Sequence, residues 1–491
     1  MSGRKFRDDN KPARIFVLLL AILTSALLIA CQTTPQWAQY DGDSGQVYPE
    51  ENWQKNDTPG RLGWSSKKLA EARAYSEAIG SAAVMIVDDG IVAAAWGDVT
   101  RKFKCHSMRK SLLSALIGIH VDRGNIELAR TLADIDIDDD EPALTLAEKQ
   151  ATVGDLIKAR SGIYHSALGE NQMMRDMRPA RHSHVPGTFW YYNNWDFNAL
   201  GTIFKQETQT SIFTEFYRRL AKPLQMEDFK VGDCRYETSD DVGKPFLSRH
   251  NCYNFRMSAR DLARFGLLFL REGRWRDQQI ISKQWVREST ASYSQRGIDS
   301  GYGYMWWTGV NGGLFQNVVI KKHSYYASGM GGHKIIVLPY RKLVIVHRVN
   351  TDGPGKQAQP YQIGRLLWHI LDAAGETGIG PVPTIEAATG VRLNQSDMRK
   401  LFSANNKWIC PNTGIFPGGE SLVITCSPDG TLTFSTGENG RYSGNWWISG
   451  DKFYFKILGM KGYFHIILEG DGIKFFASTG TLFGRFDVVD H

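Results

Sequence analysis

The chain has no apolar run of the length a bilayer demands. Its most apolar stretch, Ile15 to Ala30, is sixteen residues long, whereas a spanning helix needs about 20. It also has little net charge. Residues 1–30 hold five basic and two acidic side chains, so without them the net charge falls from +7 to +4. No basic-aromatic motif supplies what that balance lacks, which excludes a nucleic-acid partner. Cysteine is scarce at six residues, and no Cys/His spacing matches a zinc site. The acidic run Asp134, Asp136, Asp138, Asp139, Asp140 and Glu141 lacks the glycine and terminal glutamate of an EF-hand loop. It reads as a solvated loop between helices, and no metal or cofactor is expected.

The beginning of the chain carries an address. Arg4, Lys5, Arg7, Lys11 and Arg14 precede the apolar run, in the pattern of a secretory signal. The run closes in Leu28-Ile29-Ala30-Cys31, which resembles the lipobox of bacterial lipoproteins. That resemblance implies a signal peptide over 1–30 and a lipidated Cys31 holding the protein to a membrane. Gln32 in place of aspartate implies the outer membrane, facing the periplasm. An uncleaved N-terminal anchor is the alternative. Residues 31–60 are polar with Gly and Pro, and read as a tether. In an oxidising compartment two disulfides are candidates. Cys234 and Cys252 flank one loop, and Cys410 and Cys426 fall in one compact segment. Cys105 is left over as a small buried apolar residue.

The most informative motif is Ser107-Met108-Arg109-Lys110. It heads a segment to His120 whose Leu112, Leu113, Leu116, Ile117 and Ile119 recur at helical spacing. Serine and lysine three apart at a helix start share one face about 5–6 Å apart. The lysine can then take or relay the hydroxyl proton, beside backbone N–H groups of the helix terminus. Alternatively, Ser107 is an ordinary N-cap and Lys110 a solvated helix residue.

Further segments decide between these. Pro186-Gly187-Thr188-Phe189-Trp190-Tyr191-Tyr192-Asn193-Asn194 leads to Leu200-Gly201, followed by Met257-Ser258-Ala259-Arg260-Asp261-Leu262-Ala263-Arg264 and Tyr302-Gly303-Tyr304-Met305-Trp306-Trp307. With Ser107-Met108-Arg109-Lys110 and the turn Arg160-Ser161-Gly162-Ile163, this resembles the serine beta-lactamase-related family, in order over roughly residues 60 to 375. That family includes class C beta-lactamases, D,D-peptidases, esterases and 6-aminohexanoate-dimer hydrolases. The resemblance implies Ser107 as nucleophile and Lys110 as proton relay or base. Tyr192, chosen over Tyr191, would be general base or acid, and which of Lys110 and Tyr192 is the base stays open. Asn194, favoured over Asn193, would orient the lysine or the substrate. The alternative for the aromatic run is a packed ring cluster or strand.

The third motif departs from the family. Where relatives carry Lys-Thr-Gly or His-x-Gly, this chain has Ala327-Ser328-Gly329, followed by Met330-Gly331-Gly332-His333. Ala327 can neither hold a carboxylate nor tune the nucleophile, which argues against efficient beta-lactam hydrolysis. His323 and His333 lie near enough in sequence to be considered as substitutes. The backbone N–H groups of Ser107 and Met330 would form the oxyanion hole. The function expected is a cell-envelope serine hydrolase acting on an ester, small amide or D-amino-acid peptide. The alternative is a non-turnover, penicillin-receptor-like binding lipoprotein.

An α+β fold follows, with an antiparallel sheet flanked by helices and a helical subdomain over 61–374. Within it, helices are expected at Ser65–Ile79 and Gln362–Ala373, and a hairpin over Ala82–Trp96. Tyr302–Trp307, Val318–Lys321, Lys334–Leu338 and Leu343–Val349 should be strands. Residues 375–395 form a Gly/Pro-rich linker. Short alternating runs from 396 to 491 predict a small all-β barrel or sandwich; Trp446, Trp447 and Phe453-Tyr454-Phe455 are expected in its interior, with a ligand face as the alternative.

Overall fold

A computed structural model describes residues 45–55, 59–238, 248–296, 300–309, 313–315, 318–320, 323–353 and 357–377. Beyond these it describes 391–402, 407–410, 422–427, 429–436, 440–449, 451–457, 460–469, 472–477 and 482–489. The expected signal peptide, Cys31, most of the tether and most of the linker lie outside the described residues. Among the described residues no helix is long and apolar enough to cross a membrane.

Helix α1 (Ser66–Ala78) starts where Ser65 caps it, its side chain accepting from Lys68 N. The expected hairpin follows as β1 (Ser81–Asp88) and β2 (Ile91–Gly97). Helix α2 (Met108–Val121) comes next, then α3 (Asn194–Thr208) and α4 (Ala259–Leu270). The strands return as β3 (Ser294–Arg296), β4 (Ser300–Tyr302), β5 (Trp307–Gly309), β6 (Tyr325–Gly329), β7 (His333–Leu338) and β8 (Leu343–Val349). Helix α5 (Pro360–Ala373) closes this part. The eight strands form one antiparallel sheet in the order β2-β1-β8-β7-β6-β5-β4-β3.

Strand alternation divides the core. Val84, Ile86, Ile336 and Ile345 pack with α1 and α5 on one face, among Leu69, Ile363 and Leu367. Met85, Val87, Ile335 and Val346 pack on the other with α2 and α4, among Leu112, Leu116, Leu262 and Phe265. Both faces are covered, so β7 and β8 are buried along their whole length. This is why they read in sequence as continuous apolar runs.

Tyr302–Trp307 is not one strand but a hairpin. Tyr302 pairs with Trp307, Gly303 N donates to Trp306 O at 2.8 Å, and Met305 turns the chain with φ of 61°. The acidic run is only partly solvated. Asp139 is buried, accepting from Trp195 Nε1 at 2.6 Å and from Ser248 Oγ and Arg249 N at 3.0 Å.

The last strands close on themselves. Lys407–Cys410, Leu422–Cys426, Thr431–Thr436, Gly440–Ser449, Lys452–Ile457, Met460–Glu469, Gly472–Ala477 and Leu482–Val489 pair antiparallel in sequence order. The first then pairs with the last, and the edge strand Val391–Arg392 adds to Met460–Glu469. The ring is a barrel rather than a sandwich. Trp446, Ile448, Phe453, Phe464 and Phe475 are buried in its core with Met398 and Phe402 from the helix Gln395–Phe402. Trp447 and Tyr454 are only half-buried and stack on each other.

Neither expected disulfide forms. Cys234, Cys252 and Cys426 are free thiols. The register explains it: Glu237 pairs with Cys252 and Arg235 with Asn254, so Cys234 lies three positions along the ribbon from Cys252. Likewise Cys410 pairs with Leu422, whereas Cys426 follows the pair Lys407–Thr425 at the other end of the ladder. At about 3.4 Å per residue, both pairs exceed the roughly 7 Å Cα separation that a disulfide can bridge. Dithiothreitol is therefore expected to leave Tm unchanged in a thermal melt. Loss of a native disulfide would instead cost about 2–5 kcal/mol. Cys105 is fully buried, as its apolar role requires.

Candidate active site

The chain reaches Ser107 along a tightly held path. Arg348, fully buried, donates to Phe103 O at 2.8 Å and to Lys104 O at 3.2 Å. His106 then takes a left-handed conformation, with φ of 48° and Nε2 2.7 Å from Thr351 Oγ1. Such a backbone in a non-glycine residue persists only where its surroundings impose it. It delivers Ser107 to the head of α2 with helical φ and ψ, and the Ser107 side chain makes no capping hydrogen bond. The ordinary N-cap alternative is thereby set aside.

Lys110 is one turn on and buried. Its Nζ donates to Ser107 Oγ and to Tyr192 OH, both at 2.8 Å, and lies over the rings of Tyr192 and Phe197 at 4.7 and 4.8 Å. It is therefore not a solvated surface lysine. Burial first, and then the neighbouring Arg109 guanidinium, hold its pKa well below the usual lysine range. Arg109 is buried too; it donates to Asn198 Oδ1 at 2.7 Å and sits over the Tyr253 ring. Two cations side by side in a dry site favour the neutral form of the one that can lose a proton.

Tyr192 precedes α3, whose start explains the two asparagines. Asn193 is the cap: its side chain accepts from Trp195 N, and its Nδ2 donates to Ile163 O at 2.5 Å and Asp196 Oδ1 at 2.9 Å. Asn194, the favoured orienting residue, is buried but does not bond Lys110. Its Nδ2 faces Met174 Sδ at 3.9 Å, and its Oδ1 has no hydrogen-bond partner among the described residues. The aromatic run is a ring cluster rather than a strand, with Tyr192 stacked on Trp307 at 5.5 Å. Tyr191 bonds elsewhere, donating to Met174 O.

Asp196 completes the support under Asn193. It is fully buried, accepts from Ser161 Oγ at 2.5 Å, and burial holds its pKa well above the carboxylate range. The folded state therefore keeps a proton that the unfolded chain releases. That contribution to stability is present below the ordinary aspartate pKa and is lost as pH rises through the raised value. Asp196→Asn, neutral at every pH, is expected to flatten that part of the urea-unfolding stability against pH; an unchanged slope would count against a protonated Asp196.

Ala327-Ser328-Gly329 lies on strand β6. Ala327 is fully buried against the α2 side of the sheet. Gly329 ends the strand against the segment that leads to Ser107: a Cβ there would stand 2.6 Å from Cys105 O and 3.4 Å from His106 Cβ. Met330 opens the next turn and is exposed. The end of β6 that leads to Met330 thus lies against the segment that leads to Ser107. Neither histidine replaces the missing cation. His333 accepts from Val349 N and faces Thr351 Oγ1, its ring tilted against that of His106, while burial and nearby cations hold its pKa far below the histidine range. His323 lies beside the Tyr325 ring, its pKa lowered by burial to about 4.

Sequence reasoning missed Arg109, His106 and the Ser161–Asp196 pair, whose roles need tertiary neighbours. It also missed Lys334. A hairpin turning at Met330–Gly332 pairs Ser328 with Lys334, a contact that only the register shows.

The model of the family described as Beta-lactamase matches residues 67–367, well over half of the chain. The chain belongs to the beta-lactamase family. Among solved structures, that of SurE matches with a TM-score of 0.50 at 15% identity, covering 87% of this chain and 100% of SurE. A Bacillus anthracis protein assigned as a 6-aminohexanoate-dimer hydrolase matches with a TM-score of 0.48 at 18% identity, covering 70% and 91%. The octameric penicillin-binding protein homologue from Pyrococcus abyssi gives 0.46 at 14%, covering 86% and 99%. At these identities the likeness is one of fold alone. No curated protein shows a significant match to the chain.

Proposed function

We propose that this beta-lactamase-family protein is a serine hydrolase that works through an acyl-enzyme on an ester, a small amide or a D-amino-acid peptide. The observation that carries the reading is the position of Lys110 Nζ, 2.8 Å from both Ser107 Oγ and Tyr192 OH. Neutral Lys110 takes the Ser107 proton as Oγ attacks the carbonyl. Tyr192 passes a proton to the leaving group, and water attacks the acyl-enzyme by the reverse route. The backbone N–H groups of Ser107 and Met330 stabilise the oxyanion, each worth about 2.7–4 kcal/mol. Asn194, with its unpartnered oxygen, orients the substrate rather than the lysine.

Ala327 favours one second reading, a receptor that acylates and turns over poorly, because no cation stands at that position. Hydrolysis of p-nitrophenyl butyrate and nitrocefin by the wild type and Ser107→Ala tests both. Steady ester turnover that exceeds nitrocefin turnover and vanishes in the variant supports the hydrolase. A single burst without turnover supports the receptor. Turnover surviving in Ser107→Ala would refute both. We propose further that Cys31 is lipidated and anchors the protein in the outer membrane; the basic run, the apolar run and Leu28-Ile29-Ala30-Cys31 support it. Mass spectrometry of the membrane fraction with Cys31→Ser tests it, and an unlipidated Cys31 would overturn it.

A further inference from the structure

The two proposed oxyanion donors belong to segments far apart in sequence, and one side chain reaches both segments. Thr351 follows β8 and is half-buried; its Oγ1 lies 2.7 Å from His106 Nε2 and 3.4 Å from His333 Nε2. His106 directly precedes Ser107. His333 opens β7 just after the Met330–Gly332 turn and pairs with Gly329 across it. The Thr351 methyl reaches the turn itself, since a Cβ on Gly331 would stand 2.7 Å from Thr351 Cγ2.

What each group already holds fixes the hydrogens. Burial first, then Lys104 and Arg348, pushes the His106 pKa down to about 4, and that of His333 is lower still. Both rings are therefore neutral near pH 7, with one N–H each. His333 Nδ1 accepts from Val349 N, so its hydrogen is on Nε2, toward Thr351. The Thr351 hydroxyl accepts there, and its single hydrogen goes on to His106 Nε2. Thr351 itself stands on a fixed support. Strand β8 lies between β1 and β7 inside the sheet, and the next residue, Asp352, accepts from Arg256 Nη1 at 2.8 Å and Nη2 at 2.6 Å.

We propose that Thr351 is a positioning residue for the oxyanion hole, its hydroxyl tying the segment before Ser107 to the strand that follows Met330. The proposal rests on the hydrolase reading above. Thr351 acts through His106 and the turn, and sets how far apart the N–H groups of Ser107 and Met330 stand. It also accounts for the left-handed backbone at His106, which needs a partner to hold it. Misplacement by about 1 Å at a reacting centre costs about 10²-fold. The tetrahedral intermediate feels that shift more than the bound ester does, so the effect falls on kcat.

Thr351→Val keeps a branched side chain against Gly331 and removes the hydroxyl, whereas Thr351→Ser keeps the hydroxyl and removes the methyl. With p-nitrophenyl butyrate, Thr351→Val should lose about 10²-fold in kcat at nearly unchanged KM, while Thr351→Ser stays within about threefold of the wild type. Wild-type kcat in Thr351→Val would overturn the proposal, as would a loss confined to KM or an equal fall in Thr351→Ser. Should Thr351→Val not fold, Thr351→Ala against Thr351→Ser isolates the hydroxyl, and equal kcat in those two would overturn it. If the wild type turns over and Thr351→Val matches it, only the tie at Thr351 falls. If the wild type shows no Ser107-dependent turnover, the hydrolase reading falls and takes the tie with it.

Discussion

Lys110→Met is expected to reduce kcat/KM for p-nitrophenyl butyrate by about 10²- to 10⁴-fold, the range for a positioned proton-transfer group. Methionine has nearly the length of lysine and no charge, so it suits a site that is already buried against Tyr192 and Phe197. Lys110 is already held toward its neutral form by burial and Arg109, so replacing it with a neutral side chain of similar size should leave Tm close to that of the wild type. Loss of activity with retained Tm separates a chemical role from a structural one. The wild-type pH profile carries the same information. The base must be neutral, and the Lys110 pKa is depressed, so kcat/KM should rise with pH and level off below the ordinary lysine value of 10.5. A variant keeping more than a tenth of the activity would contradict the assignment.

Gly329→Ala is expected to have the second largest effect. The added Cβ would meet Cys105 O at 2.6 Å, and that backbone carbonyl, which accepts from Met108 N at 3.1 Å, cannot swing aside as a side chain could. Strand β6 must draw back from the segment leading to Ser107, which separates the N–H groups of Ser107 and Met330. Overpacking of this kind costs about 1–3 kcal/mol of stability. Loss of one oxyanion donor costs about 10²–10³ in kcat. Urea unfolding and steady-state kinetics on the same sample check both. Wild-type kcat in the variant would show that the proposed oxyanion hole does not depend on this close approach.

Much of this fold is legible because its signals are local. Ser65, Ser258 and Asn193 announce three helices by capping them, and Asp88-Asp89-Gly90 announces the first hairpin. The core of the site was equally readable, since Ser107 and Lys110 share one turn of helix and Tyr192 stands just before another. What was hidden depends on pairings distant in sequence. Asp139 looks solvated until Trp195 and Ser248 close over it. Cys234 and Cys252 look bridgeable until the ribbon register sets them apart. Lys334 looks like an ordinary strand residue until the turn at Met330–Gly332 brings it to Ser328. The barrel, too, was legible only as alternating runs; its closure needs the first strand to meet the last.

The central claim is that Ser107 is an activated nucleophile. Intact-mass spectrometry of residues 32 onward, treated with a fluorophosphonate probe beside Ser107→Ala, tests it most directly. A single covalent adduct on the wild type, absent from the variant, is the predicted result. An unmodified wild type, or an adduct that persists in Ser107→Ala, would contradict it.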